Sequence, residues 1–192
     1  VGSLLRARGL AKGERCIVML PRLPQWHFAM VGCLRVGVIP IPCIDMLTAQ
    51  DVCYRAAHAG AAGVITTAAN AGKFAGVDGL KLKAAVGGAE GWLDFEAAVC
   101  AAAADCPAET IGVEDPVAMY FTSGSSGSPK GVTHAARALY AWRLSSQLWH
   151  DLKPSDLIWC TADTGWSKAG TAILYGPWSC GAAVLFYNGP FD

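Results

Sequence analysis

A chain of 192 residues has room for one sizeable α/β domain or two small ones. Its formal net charge is +0 with 16% charged residues, so no field of either sign recommends nucleic acid or an anionic membrane as a partner. No apolar run reaches the ~20 residues a spanning helix needs, because Arg, Asp, His or Gly-Pro breaks recur.

Residues 3–9 read as a short basic helix ended by glycine. Residues 15–20 are a continuous apolar run stopped by Pro21, the pattern of a buried strand. From 25 to 36, Trp26, Ala29, Met30, Cys33, Leu34 and Val36 recur at helical spacing and predict one broad buried face, closed by Gly37. Residues 38–42 predict a short strand whose two prolines argue for an edge or a strand end. A helix over 48–58 opens on Thr48 as N-cap, carries Asp51 in its first turn and stops at Gly60. Strands are expected at 63–67 and 82–86, and an Ala-rich helix at 92–104. A polar connector, 106–115, leads to an apolar strand at 116–121. Beyond it the spacing predicts a long helix over 133–150, a strand at 156–160, a loop at 163–166, a helix near 170–178 and a last strand at 182–186. Strands alternating with helices predict a layered α/β/α fold with a mostly parallel sheet.

Eight cysteines are scattered without a C-x-x-C pair, a spacing that suits neither a zinc centre nor a small disulfide scaffold. Several lie in apolar segments and read as buried thiols of a reducing compartment, the cytoplasm or, in a eukaryote, the mitochondrial matrix. No metal-ligating cluster stands out, and nothing specifies an oligomeric state.

The chemistry concentrates between Tyr120 and His134. Thr122, Ser123, Ser125, Ser126 and Ser128 surround Gly124, Gly127 and Gly131, with Pro129 and Lys130 close behind. Glycines let backbone N–H groups approach a ligand, hydroxyls add donors, and one ammonium adds a compact charge suited to phosphate oxygens. An apolar strand enters this loop and a helix is expected to leave it, an order that builds phosphate cradles. The spelling fits neither G-x-x-x-x-G-K-[ST] nor G-x-G-x-x-G.

The stretch Thr122-Ser-Gly-Ser-Ser-Gly-Ser-Pro-Lys-Gly131 closely resembles the phosphate loop of the AMP-forming acyl-CoA synthetases and their adenylating relatives, among them luciferases and peptide-synthetase adenylation domains. Ser125 and Ser126 stand where threonines are frequent, which keeps the hydroxyls. Met19-Leu-Pro-Arg-Leu-Pro-Gln-Trp26, Gly32-Cys-Leu-Arg-Val-Gly37, Asp51-Val-Cys-Tyr-Arg55 and Ala162-Asp-Thr-Gly-Trp166 look like the medium-chain acyl-CoA synthetase branch. The resemblance runs through the chain in order. It implies part of the large N-terminal domain of that fold over residues 1–192, with the C-terminal domain absent. It also implies activation of a fatty, medium-chain carboxylic acid by ATP and Mg²⁺ to an acyl-adenylate, then transfer to coenzyme A.

In that reading Thr122, Ser123, Gly124, Ser125, Ser126, Gly127, Ser128, Pro129 and Lys130 bind ATP phosphates, and Thr164 and Trp166 lie by the acyl substrate. Trp166 equally suits a core position, being one of seven tryptophans. His134 reads either as a general base or, more simply, as a cap of the next helix. Asp45 falls where a glutamine is often found near the substrate entry, so no contact is carried over to it. The family's adenine- and ribose-binding motifs and its C-terminal catalytic lysine have no counterpart here, so no catalytic residue is expected in the 192 residues. With Val1 at its start and an apolar run just before its end, the chain reads as a piece of a longer protein that cannot complete adenylation alone. A non-catalytic phosphate-binding module, or an adenylating relative that loads a carrier protein, are the alternatives.

Overall fold

The structure, a computed structural model, describes residues 1–123 and 127–189. Helix α1 (Gly2–Ala7) leads into β1 (Arg15–Met19), the run whose unbroken apolarity predicted burial on both faces. Helix α2 (Pro24–Arg35) then returns the chain to β2 (Ile39–Pro42), which pairs with β1 in parallel. Helix α3 (Ala49–Ala59) crosses to β3 (Ala61–Thr67) on the other side of β1. A short α4 (Ala68–Ala71) and a 3₁₀ turn (Gly72–Phe74) precede β4 (Leu82–Val86) and the two-residue β5 (Leu93–Asp94). The sheet order is β2-β1-β3-β4-β5, all parallel.

Alternation along β1 assigns the layers. Cys16, Val18 and Leu20 join Trp26, Met30 and Cys33 of α2 on one face. Ile17 and Met19 join Val52 and Ala56 of α3 on the other. Side chains two apart on a strand share a face, so both faces are covered and the expected α/β/α layering is present. β2 is outermost, the edge being one of the two places its prolines suit: Ile39 and Cys43 donate inward to Glu14 and Val18, leaving Pro40 and Pro42 toward the outer edge where no donor is demanded.

Local signals account for the helix ends. Thr48 and Asp51 form a reciprocal capping box, Thr48 N–H to Asp51 Oδ2 at 3.0 Å and Asp51 N–H to Thr48 Oγ1 at 3.2 Å. Gly60 ends α3 in the left-handed region at φ 59°. The helix expected over 92–104 is shorter, α5 at Phe95–Ala101, because Asp94 accepts the Ala97 N–H at 2.8 Å and caps it while Leu93 and Asp94 extend the sheet.

The second half departs more. β6 (Pro116–Thr122) pairs antiparallel with β7 (Lys130–Ala135), and the helix expected from 133 begins only at α6 (Arg137–Leu148). Val132 and Thr133 face Tyr120 and Met119 across this hairpin, and β-branched residues favour such pairing over a helix. β8 (Leu157–Trp159) and β9 (Ala183–Leu185) form a parallel pair. Between them run α7 (Ser167–Ala169), a π-helical segment (Gly170–Tyr175) and α8 (Gly176–Ser179).

His27 joins this second half to α2. Its Nε2 lies 3.4 Å from the Ile173 carbonyl, and its ring stacks on Trp178 at 4.8 Å. Burial holds its imidazole below the usual range. The unfolded chain then binds more protons as pH falls through about 6.5, so stability falls with it. Thermal unfolding at pH 7 and pH 5 should show a lower Tm in acid, and His27→Phe, which keeps the ring contacts, should shrink the difference. An undiminished difference would assign the acid sensitivity to other groups.

Candidate functional site

The Gly-rich segment is the turn of the β6–β7 hairpin. Thr122 stands opposite Lys130, and Phe121 opposite Gly131, so both roots of the loop are held by the ladder. Thr122, Ser123, Gly127, Ser128 and Lys130 are exposed, and Pro129 is half-buried. Gly127 has φ 140°, a backbone that side chains rarely adopt. Gly124, Ser125 and Ser126 lie outside the described residues. Lys130 makes no ion pair among the described residues, which leaves its charge available to an anion. The strand–loop–helix order expected from the sequence is corrected to strand–loop–strand. Among the described residues no helix N-terminus backs the loop, and an anion there would be met by loop N–H groups, hydroxyls and Lys130.

Beside the hairpin opens a cleft of about 490 Å³. Tyr120, Thr122, Val132 and His134 form the strand wall, Trp142, Ser145, Ser146, Trp149 and His150 the α6 wall, and Ser167, Lys168 and Thr171 the third side. Thr122 therefore belongs to both the loop and the cleft. The α6 positions 142, 145, 146 and 149 repeat at i, i+3, i+4 and i+7, one helical face. That spacing is the signal by which the sequence could disclose them.

His134 does not cap α6. It stands on β7 opposite Ala118, with its ring 5.1 Å from Trp142 and edge-on to Tyr120 at 5.8 Å. Ala136 occupies the cap position without a side-chain bond. Burial holds the His134 imidazole below its ordinary value, so it is neutral near pH 7. Burial also pushes the Tyr120 and Tyr175 hydroxyls up, keeping both protonated. Trp142 stacks on Tyr175 at 4.9 Å. The π-helical winding brings Gly170 against the Tyr120 hydroxyl, where an added Cβ would lie 2.0 Å away. Lys168 sits at the rim with its ammonium 5.0 Å from the Trp149 ring centre.

The loop at 163–166 lies at the carboxyl end of β1, where α2 and α3 diverge to opposite faces and open sheets form their crevices. Thr164 is buried, and its hydroxyl donates to the Leu20 carbonyl at 2.5 Å. Gly165 packs against the backbone after β2, an added Cβ falling 2.2 Å from Ile44 N. Trp166 is 53% exposed, which removes the core alternative. Its chain neighbours Ser167 and Lys168 line the 490 Å³ cleft. Asp45 faces the same crevice; burial, then the Asp163 carboxylate, raise its pKa. Asn70 Nδ2 donates to Asp45 Oδ1 at 3.1 Å and Lys73 Nζ to its carbonyl at 2.5 Å.

Among the described residues no three His, Cys, Asp or Glu side chains gather as a metal site, and no helix is long and apolar enough to cross a membrane. All eight cysteines are free.

A family profile described as AMP-binding enzyme matches residues 1–192. The human mitochondrial acyl-coenzyme A synthetase ACSM1 is 36% identical over 96% of this chain and 33% of its own length. Acetyl-coenzyme A synthetase from Xanthobacter autotrophicus is 32% identical over 98% of this chain and 33% of its own. The crystal structure of Brucella canis acyl-CoA synthetase superposes with a TM-score of 0.92 at 31% identity, covering 99% of this chain and 36% of that one. The chain thus spans about a third of the length of these relatives.

Proposed function

Since the chain belongs to the AMP-binding enzyme family, we propose that it forms part of an ATP-dependent acid–coenzyme A ligase. The observation that carries this reading is the shared residue Thr122: the hairpin loop opens directly onto the rim of the 490 Å³ cleft. A phosphate-binding turn and a tail-binding cleft meeting at one point suit a reaction that joins an acid to a nucleotide.

In the first step a carboxylate oxygen attacks the α-phosphorus of ATP, and the bond to the departing pyrophosphate breaks. In the second, the thiol of coenzyme A attacks the acyl carbon and AMP leaves. Thr122, Ser123, Gly124, Ser125, Ser126, Gly127 and Ser128 supply N–H and hydroxyl donors to the β- and γ-phosphates, and Lys130 neutralises the charge that builds on the leaving pyrophosphate. Mg²⁺, where bound, would add to the neutralisation of the phosphate charge that Lys130 and the loop donors provide.

The acid's tail lies between Trp142, Trp149 and Val132, and a fatty acid of medium chain length is the substrate we favour. Trp166 borders the acid end of the site, and Thr164 holds that border to β1 through Leu20. The reading takes residues 1–192 as the N-terminal portion of the enzyme's large domain. The relatives are about three times as long, and the remaining adenosine contacts and the C-terminal lysine are supplied from outside these residues. The 192 residues alone should therefore give no turnover.

The test is carboxylate-dependent ATP–pyrophosphate exchange across an acid series, followed by acyl-coenzyme A formation, in a protein of the relatives' length. Trp149→Ala should raise KM for the acid about tenfold, from the loss of one aromatic wall, and leave KM for ATP and the Tm unchanged, since Trp149 is 75% exposed. Adenylate formation with transfer to a carrier protein instead of coenzyme A would replace the second step. Absence of any exchange would leave only phosphate binding.

A further inference from the structure

Helix α3 carries three residues on one face that reach the loop roots. The Tyr54 hydroxyl donates to the Pro129 carbonyl at 3.0 Å, immediately before Lys130. The Tyr54 ring stacks on His58 one turn later, with centroids 5.5 Å apart. His58 in turn meets Phe121 edge-on at 5.7 Å, and the Arg55 guanidinium lies over the same ring at 5.1 Å. Phe121 is buried and immediately precedes Thr122. One helix thus grips the loop at both ends, Phe121 on the way in and Pro129 on the way out.

The grip comes from a fixed support. α3 is closed by its capping box and by Gly60, and Val52, Ala56 and Ala59 bury its opposite side against the parallel sheet. The segment it holds includes Gly127 and Gly131, and glycine has more backbone freedom to lose on ordering than any other residue. Anchoring the roots beforehand lowers that cost, and the saving is seen as affinity.

We propose that Tyr54 is a positioning residue for the phosphate loop, its hydroxyl latching the Pro129 carbonyl so that Ser128 and Lys130 are held in place ahead of a polyphosphate-bearing nucleotide. Tyr54 acts through Pro129 and touches no reacting atom. The assignment rests on the phosphate reading of the loop for its consequence, while the latch itself stands on the contact with Pro129.

Tyr54→Phe removes the hydroxyl and keeps the ring on His58. Hydrogen–deuterium exchange of the purified protein should show residues 127–131 exchanging about fivefold faster, with β1 and the rest of α3 unchanged, the effect of losing one net hydrogen bond. Unchanged exchange at 127–131 overturns the latch. In pyrophosphate exchange the variant should lower kcat/KM for ATP about fivefold and leave KM for the acid unaltered, because only the phosphate contacts are loosened. Equal rises in both KM values, or a lowered Tm with acceleration throughout the protein, would show a merely structural role and overturn the assignment. A wild-type protein without exchange activity would defeat the nucleotide reading instead, and hydrogen exchange would still decide the latch.

Discussion

Replacing Lys130 by Ala is expected to slow acyl-adenylate formation by about 10- to 100-fold while sparing the transfer of a pre-formed acyl-adenylate to coenzyme A. Lys130 is exposed at the loop root and has no ion-pair partner among the described residues. Negative charge accumulates on pyrophosphate only in the first half-reaction, so only that step loses an electrostatic contact. A preorganised donor in a water-excluded site is worth about 10²–10³ in rate. An exposed ammonium is screened by solvent, which sets the lower range. Lys130→Arg should recover part of the rate: it restores charge, but a planar fork replaces a compact ammonium. Rapid-quench measurement of each half-reaction in the relatives-length protein decides the matter. Equal loss in both would remove Lys130 from the phosphate role.

Gly165→Ala is expected to lower the Tm by roughly 2–12 °C and to raise KM for the acid more than KM for ATP. The added Cβ would lie 2.2 Å from Ile44 N and 2.4 Å from the Cys43 carbonyl carbon. Both are backbone atoms at the end of β2 and cannot swing aside like a side-chain tip. Forced overpacking costs about 1–3 kcal/mol, and each kcal/mol moves the Tm of a chain this size about 2–4 °C. If the loop yields instead, Trp166, Ser167 and Lys168 shift with it, and a displacement of about 1 Å at a binding wall is enough to disturb catalysis. Gly72→Ala is the control, since its Cβ meets nothing within 4 Å. Calorimetry on the two variants separates the effects; equal Tm values would show that the 163–166 loop is free to move.

The parallel half of the fold was legible because its signals are local. The unbroken run of β1, the capping box of Thr48 and Asp51 and the prolines of β2 each state a burial or hydrogen-bonding requirement within a few residues. The hairpin was not. Thr133, Ala135 and Ala136 read as a helix start, because Thr is a good cap and Ala a good helix former. What decides otherwise is pairing with Met119 and Tyr120 across the loop, and pairing partners are invisible to a local window. The exposure of Trp166 and the location of His134 on a strand wall were likewise beyond the sequence, since both depend on what packs alongside.

By itself the sequence determined the α/β class, the caps of α3 and the Gly/Ser-rich motif, because each follows from backbone chemistry, side-chain period or residue identity over short spans. Only the tertiary structure decided that the loop joins two paired strands as a hairpin turn. It alone brought Tyr120, Trp142, Trp149 and Lys168 around one cleft, and set Tyr54 beneath Pro129, 75 positions further along the chain. Contacts at that separation exist only once the sheet and its covering helices have been assembled, because burial of two distant faces, not any preference of the residues between them, is what closes such loops.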